Sequence, residues 1–502
     1  MKINNNYYSD YRSFIDTCNK IFEVFSKSDV ALSPILSISK PIPEVIKKKQ
    51  KTIQKVTKEK YYSYIITFIP RILINLLVSI LHHFYHLNYW RQFPFKKFAK
   101  TEIIFVSHYT GQEAKVDEDP YFGTLPQQLN ENKRPNLLLY LNHNKGNPSN
   151  LNLETDTQTS NNLQYILPKT VNTKEFLKLY KNIFLNLKEI IFHVAKKGER
   201  SKSEKILMLE LAIQQLSLES MSQTILAKNI EQIVGQTDAK KMVLTYEGHS
   251  FETYVANKLK SKFPNLDVCV YQFAPVVPAQ NSFFRNLHYL NKNIRVFVSG
   301  SQFKENILRR TKLPSSALTV IGSRKNRIDK LSLIERKDVT VLFAAEGSRE
   351  SLVEFINLAF YSSLENPSTT FIVRAHPASA NYKLELFKKA GKHSSKFYLS
   401  SESLKDDLHK ATHCVYRSSS VGLEGLLYGV IPIHYAAGMN SALDPINSLD
   451  LPHLQFADID AFNQKIKEIS KNNIGIDEQQ LRNYREVFEG YFEPLNLNIL
   501  NH

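Results

Sequence analysis

Cysteine is scarce in this chain: three in 502 residues, at Cys18, Cys269 and Cys414. They stand far apart with no CxxC spacing, which excludes a zinc cage or a disulfide framework and makes a reducing cytosol the natural compartment. The opening stretch "MKINNNYYSDYRSF" lacks the basic and apolar regions of a signal peptide, in keeping with that placement. Also missing are the phosphate loop GxxxxGK followed by Ser or Thr, the GxSxG elbow and the HExxH helix, so three common catalytic designs fall away. No nucleic-acid recognition module follows the basic, aromatic stretches, and no nucleic-acid partner is expected.

Acidic residues are in deficit, 48 against 65 Lys and Arg, for a formal charge of +17. That balance calls for anionic partners, of which nucleic acid, an acidic membrane leaflet, and phosphorylated or acidic sugars are the classes the charge alone allows. A hydrophobic fraction of 42% is ordinary for a soluble protein, and the length allows two or three domains.

Much of the charge stands in "VIKKKQKTIQKVTKEK" (Val45 to Lys60), directly before the apolar "YYSYIITFIPRILINLLVSILHHFYHLNYW" (Tyr61 to Trp90). Pro70, Arg71, Asn75 and the histidines His82, His83 and His86 interrupt the apolar run, and tyrosines and Trp90 flank it. Three readings stand here: a helix lying on a bilayer, a buried helix beside a charged neighbour, and a membrane span.

Strand-like runs then alternate with helix-length segments. "EIIFVSH" and "PNLLLYLNH" open an α/β unit; a 3.6-residue apolar period over 171–235 marks a helical insertion; "KMVLTYEG", "DVCVYQFAPV", "IRVFVSG" and "ALTVIGS" resume the strands. The basic "RKNRIDKLSLIERKD" breaks the rhythm, and a second set follows from "VTVLFAAEGS" through "TFIVRAHP", "KFYLS" and "THCVYRSSS" to "VIPIHYA". The expected organisation is an N-terminal helical extension (1–98), an α/β domain (99–323) carrying the insertion, a linker (324–338) and a second α/β domain (339–502). Apolar strands separated by helices predict two doubly wound parallel sheets facing one cleft, with ligands at the strand C-termini.

Two stretches place chemistry there. The strand "FIVR" ends on Arg374, His376 and Pro377, and about forty residues later "THCVYRSSSVGLEG" puts Ser418, Ser419 and Ser420 at a helix start, where hydroxyls and N–H groups suit an anion but also make an ordinary cap. This pairing resembles the donor domain of GT-B glycosyltransferases, and more narrowly the bacterial transferases that use CMP-activated nonulosonic acids of the sialyl, polysialyl and Kdo type. The stretches "TYEGHSFETYV" and "DPYFGTLP" also resemble bacterial surface-carbohydrate biosynthesis proteins.

The resemblance implies a GT-B fold, His376 and Pro377 at the cytidine monophosphate leaving group, Ser418, Ser419 and Ser420 on its phosphate, and Glu424 where many donor helices hold the ribose hydroxyls. It implies an acidic-Gly motif for the acceptor base. Glu247-Gly248 ends a first-domain strand and is the candidate, with His376 as the other catalytic residue; Glu247 also suits a helix cap. Glu346, Gly347 and Ser348 form a similar stretch in the second domain and join Arg374 among the donor-side candidates. His108, Tyr246 and His249 are acceptor-side candidates.

The triplet Asp117-Glu118-Asp119 mimics a DxD metal motif but reads as a solvated loop, and no metal or other cofactor is expected to be obligatory. The expected activity is inverting transfer of a nonulosonic acid from a CMP-sugar to a glycan or lipid-linked glycan of a bacterial surface, at the inner face of the cytoplasmic membrane. Alternatives are a UDP- or GDP-sugar transferase, a CDP-polyol phosphotransferase, and a non-catalytic scaffold on the membrane surface.

Overall fold

The computed structural model describes residues 5–25, 61–93, 95–98, 100–109, 118–142, 163–196, 200–277, 279–326, 336, 338–377, 379, 396–436, 443–446, 451, 453–472 and 476–501. Among them are two sheets. The first is built from β1 (Ile103–His108), β2 (Asn136–Leu141), β3 (Leu163–Ile166), β4 (Lys241–Thr245), β5 (Asp267–Gln272), β6 (Arg295–Val298) and β7 (Leu318–Val320). The second contains β8 (Thr340–Ala344), β9 (Thr370–Arg374), β10 (Phe397–Leu399), β11 (His413–Tyr416), β12 (Ile431–Tyr435) and β13 (Leu454–Phe456).

Every pairing is parallel. The spatial orders are β3-β2-β1-β4-β5-β6-β7 and β10-β9-β8-β11-β12-β13. Both follow the doubly wound 3-2-1-4-5-6 path. The strands read as unbroken apolar runs because helices cover both faces: β1, β2, β4 and β8 are buried almost throughout. Each sheet therefore reverses strand order at one place, between β1 and β4 in the first and between β8 and β11 in the second.

Helices α1 (Asn5–Phe25), α2 (Tyr61–Gln92), α3 (Leu125–Glu131), α4 (Thr173–Ala195), α5 (Lys202–Gln215), α6 (Leu218–Val234), α7 (Ser250–Lys262), α8 (Asn281–His288) and α9 (Ser301–Arg310) belong to the first half. The second half holds α10 (Arg349–Glu365), α11 (Leu404–Lys410), α12 (Val421–Leu427), α13 (Ile459–Asn472) and α14 (Glu478–Tyr491). The N-terminal extension and the helical insertion, separate in sequence, form one unit. Tyr11, Phe14 and Phe22 of α1 share an apolar cluster with Phe176, Leu179, Ile206 and Met208, and Phe68, Ile72 and Leu76 of α2 pack against it.

The end of the chain departs from the expected 339–502 domain. Tyr484 and Phe488 of α14 join an apolar cluster with Leu423 of α12 and with Phe303 and Ile307 of α9. Beyond that helix the tail lies on the first sheet: Glu493 N–H donates to the Ser299 carbonyl at 2.9 Å, Ser323 N–H to the Glu493 carbonyl at 2.8 Å, and Lys241 Nζ to the Leu500 carbonyl at 2.9 Å. Gly322 makes this approach feasible, since with φ +87° a Cβ there would stand 2.1 Å from the Pro494 carbonyl oxygen. Two Rossmann-like domains, clamped by a C-terminal crossing, make a GT-B architecture.

Candidate functional site

In doubly wound sheets, ligands collect where the strand order reverses. His108 ends β1 and Glu247 follows β4, so both stand at the reversal of the first sheet; Glu346 follows β8 and Arg417 to Ser420 follow β11, at the reversal of the second. His108, Glu247, Glu346 and the three serines thus fall at the two reversals, while Arg374 ends the neighbouring β9 and His376 and Pro377 follow it.

The turn after β4 is built with unusual economy. Gly248 has φ +85°, which lets the chain turn sharply against Phe283. Glu252, fully buried in the first turn of α7, accepts from three successive N–H groups: Glu247 at 3.0 Å, Gly248 at 2.9 Å and His249 at 2.8 Å. Burial pushes its carboxyl up to about 7, against the pull of those donors and of His249. Gln280 donates to the Glu247 carbonyl at 2.8 Å and Asn286 to that of Gly248 at 2.7 Å.

With the backbone so held, the Glu247 and His249 side chains project outward, half-exposed, with Oε2 and Nε2 3.4 Å apart. Tyr246 does not join them. It is fully buried, its hydroxyl 3.1 Å from that of Thr253, so the acceptor-side assignment is corrected to a core role. His108 is partly buried, its ring edge-on to Tyr121 at 5.4 Å.

In the second domain the centre is a residue the sequence reading passed over. Arg417 is completely buried and donates to Glu346 Oε2 from Nε at 2.9 Å and from a terminal nitrogen at 2.5 Å, and to Glu354 at 3.1 Å. Ser418 donates to the other oxygen of Glu346, and Tyr435 donates to Glu354 at 2.7 Å. Glu346 is therefore oriented from beneath by a guanidinium and a hydroxyl. Ser348 caps α10 by accepting from Ser351 N–H at 3.0 Å, and Gly347 lies exposed in the intervening turn.

A second unexpected cation comes from the segment read as linker. Lys325 Nζ lies 2.5 Å from Ser420 Oγ and 2.7 Å from Glu424 Oε1, while Ser420 itself donates to Glu424 at 2.7 Å. Burial pushes the Glu424 carboxyl up, but the Lys325 ammonium and these hydrogen bonds outweigh it and hold the group below its ordinary range. Of the three serines, only Ser419 keeps its hydroxyl on the helix start, accepting from Val421 N–H at 3.3 Å.

His376 joins the halves. Its side chain is open to solvent, yet the neighbouring protein desolvates it enough to lower its pKa; the Glu247 and Glu346 carboxylates pull it up, and Lys325 and Arg374 push it down. Those named groups, from both sheets and the linker, act electrostatically on one imidazole. Arg374 is committed structurally as well, donating to Asp407 at 2.7 Å and to the Glu402 carbonyl at 2.8 Å. Pro377 continues the exposed turn.

Behind β12 lies a further polar network: Tyr416 donates to buried Asp444 at 2.7 Å, and His453 Nε2 stands 3.1 Å from the same carboxylate. That hydrogen bond raises the pKa of His453. The acidic triplet differs from expectation. Asp117 lies outside the described residues, and Asp119, far from solvated, is buried and accepts from Tyr121 and Phe122 N–H at 2.8 and 2.7 Å as the pivot of a turn. Burial pushes its carboxyl up to about 6.

No family model matches the chain, and no curated protein matches it in sequence. Solved structures similar to it include a UDP-GlcNAc 2-epimerase from Neisseria meningitidis bound to UDP-GlcNAc, with 12% identity, 80% of this chain and 100% of that chain covered, and a TM-score of 0.41. A glycosyltransferase from Rickettsia africae gives 13% identity, 80% and 96% coverage and a TM-score of 0.43. A lipopolysaccharide outer core galactosyltransferase gives 12%, 80%, 98% and 0.40.

Proposed function

We propose that the chain is an inverting glycosyltransferase that moves a nonulosonic acid from a CMP-activated donor to a glycan or lipid-linked glycan. The observation that carries this reading is a half-exposed carboxylate, Glu247, after β4 and an ammonium, Lys325, on Ser420 and Glu424 after β11, both of which act electrostatically on His376. A carboxylate and an ammonium acting on one imidazole suit a reaction that deprotonates an alcohol and expels a phosphate. Glu247 takes the proton of the acceptor hydroxyl while the hydroxyl oxygen bonds the anomeric carbon from the face opposite the phosphate. The carbon–oxygen bond to phosphate breaks, and its electron pair leaves on the nucleotide, stabilised by His376 and Lys325. No step so written requires a metal. A positioned base contributes roughly two to four orders of magnitude, and preorganised charge at the leaving group a comparable share.

A second reading is a UDP-sugar donor: Ser418 and Ser420 give their protons to carboxylates, which removes two of the three hydroxyls from the monophosphate contact on which the CMP reading rests. Thermal stabilisation by CMP, UMP, UDP and GDP, followed by transfer assays with the matching sugars, separates the two. CMP selectivity abolished by His376→Ala supports the nonulosonic donor, and UDP selectivity supports the second reading. Glu247→Gln should retain nucleotide binding and lower the transfer rate by about 10²–10⁴-fold. No response to any nucleotide and no transfer, in the wild type as in the variants, would identify a non-catalytic scaffold.

A further inference from the structure

Helix α2 is turned inside out for a helix in water. Its polar residues face the protein: Arg71 makes two bonds to Glu210, at 2.8 and 2.9 Å, Asn75 donates to the Ile213 carbonyl at 3.0 Å, Ser79 lies 2.6 Å from the Tyr180 hydroxyl, and His83 Nδ1 lies 2.6 Å from Thr170. The spacing of 71, 75, 79 and 83 is one helical face. On the opposite face Ile69, Leu73, Leu77, Leu81, Phe84 and Tyr85 are each 58–66% exposed. The helix contains no Asp or Glu.

Helix α4, which supplies Tyr180 and stacks Phe176 on the His83 ring at 3.7 Å, continues this outer surface. It exposes Leu177, Phe184, Leu185, Ile191 and Phe192. Exposed Lys174, Lys178, Lys181 and Lys188 are interleaved with them at spacings of three and four residues. In sequence, seven lysines against Glu59 alone lie between Lys47 and Lys60, just ahead of α2, in a segment outside the described residues.

We propose that the outer face of α2 and α4 docks into the interfacial zone of an anionic lipid bilayer, with α2 lying along the surface. Exposed apolar side chains mixed with lysines, and backed by a folded domain, are the composition of a helix seated at headgroup depth. A second copy of the chain is the poorer occupant, because self-association would press one lysine-bearing face against another, and interface centres are depleted of lysine. A span is the poorer reading, because Arg71, Asn75, Ser79 and His83 are fastened to helices and loops that would have to enter hydrocarbon with them. This inference stands on exposure and charge and does not depend on the donor or on catalysis.

The test is flotation of the full-length protein with vesicles of phosphatidylcholine alone and of phosphatidylcholine mixed with phosphatidylglycerol. Wild type should float with the mixed vesicles and weakly or not at all with the neutral ones, and alkaline carbonate should release it. Leu73→Ser/Leu77→Ser/Leu81→Ser should lower partitioning by about a hundredfold, and Lys181→Glu/Lys188→Glu by about tenfold or more. All five positions are exposed, so the variants should keep the wild-type melting temperature and nucleotide response. Absence of flotation overturns the proposal, as does flotation unchanged in both variants. Carbonate-resistant flotation with neutral vesicles would make α2 a span, and a dimer abolished by the leucine variant without lipid binding would make a second copy the occupant; either replaces the bilayer-surface reading.

Discussion

Replacing Gly248 by Ala tests whether the turn after β4 is what aims Glu247. At φ +85° a side-chain-bearing residue costs about 1–2 kcal/mol in the left-handed region. The added Cβ would stand 2.2 Å from Phe283 Cα and 2.8 Å from its N and Cβ, atoms of a helix backbone that cannot rotate aside. Carbon atoms sit comfortably at roughly 3.5–4.0 Å, so the turn or the start of α8 must move by more than about 1 Å. Such a shift pulls Gln280 from the Glu247 carbonyl and Asn286 from that of Gly248, at about 1 kcal/mol for each bond lost. With about 1–3 kcal/mol for overpacking, the terms come to about 4–7 kcal/mol, at the upper end for a single substitution.

Urea unfolding monitored by circular dichroism measures the loss, with Gly425→Ala as its control. Gly425 lies inside helix α12, with no positive φ and a nearest neighbour at 3.4 Å, so alanine there should change stability by less than about 1 kcal/mol. Gly248→Ala should also slow transfer by about a hundredfold, because a 1 Å misplacement of a reacting group has that effect. Nucleotide stabilisation should survive, since the donor side is built on the second sheet. If the two alanine variants unfold at the same urea concentration, the turn yields freely and the argument for a rigidly held Glu247 fails.

Arg417→Met should destabilise the second domain by about 3–5 kcal/mol, because it strips the Glu346 and Glu354 carboxylates of a buried partner; the melting transition reads it, and adding Glu346→Gln should restore part of the loss. His413 is 1% exposed, and burial, then Arg336, lower its pKa to about 4. The unfolded imidazole titrates near 6.5, so the unfolded state binds the extra proton: stability is complete above about pH 6.5 and falls as pH drops toward 4, by up to about 3 kcal/mol from this group. His413→Leu should flatten that part of a stability-versus-pH curve. Lys325→Met should weaken nucleotide binding by about tenfold, measured calorimetrically, through loss of a cation near the leaving group and of the Glu424 contact.

What could be read in advance was whatever depends on neighbours in sequence. "NLLLYL", "KMVLT" and "TVLFA" are strands buried on both faces, and their continuous apolar character says so without a structure. Glu247, Glu346, His376 and the serines lie just past the C-terminal ends of β4, β8, β9 and β11, as the sequence pattern indicated. Glu252 left a weaker trace, an acid in the first turn of α7 where capping carboxylates belong. Arg417 left none: a buried guanidinium is tolerable only because Glu346 and Glu354, more than sixty positions earlier, arrive beneath it. Lys325 looked like part of a solvated basic linker for the same reason. Tyr246 was misjudged because a strand-end tyrosine can face either side, and packing against Phe283 decided it. In α2 the sequence displayed both faces but not which one met the protein.

The groups after β4 and after β8 are both held from within their own domains. On the first sheet, Glu252, Gln280 and Asn286 of the same domain hold the Glu247 turn by hydrogen bonds. On the second, Glu346 is likewise fixed from within by Arg417. Each wall is therefore rigid by itself, and adjustment between them must pass through what joins them. Lys325 and the α14 crossing are such joints. Lys325 leaves the first domain after Ser323, bonds Ser420 and Glu424 on the second, and sits 5.2 Å above the Phe492 ring at the start of the returning tail. One ammonium group thus ties the end of the first domain to the turn after β11 and to the returning tail.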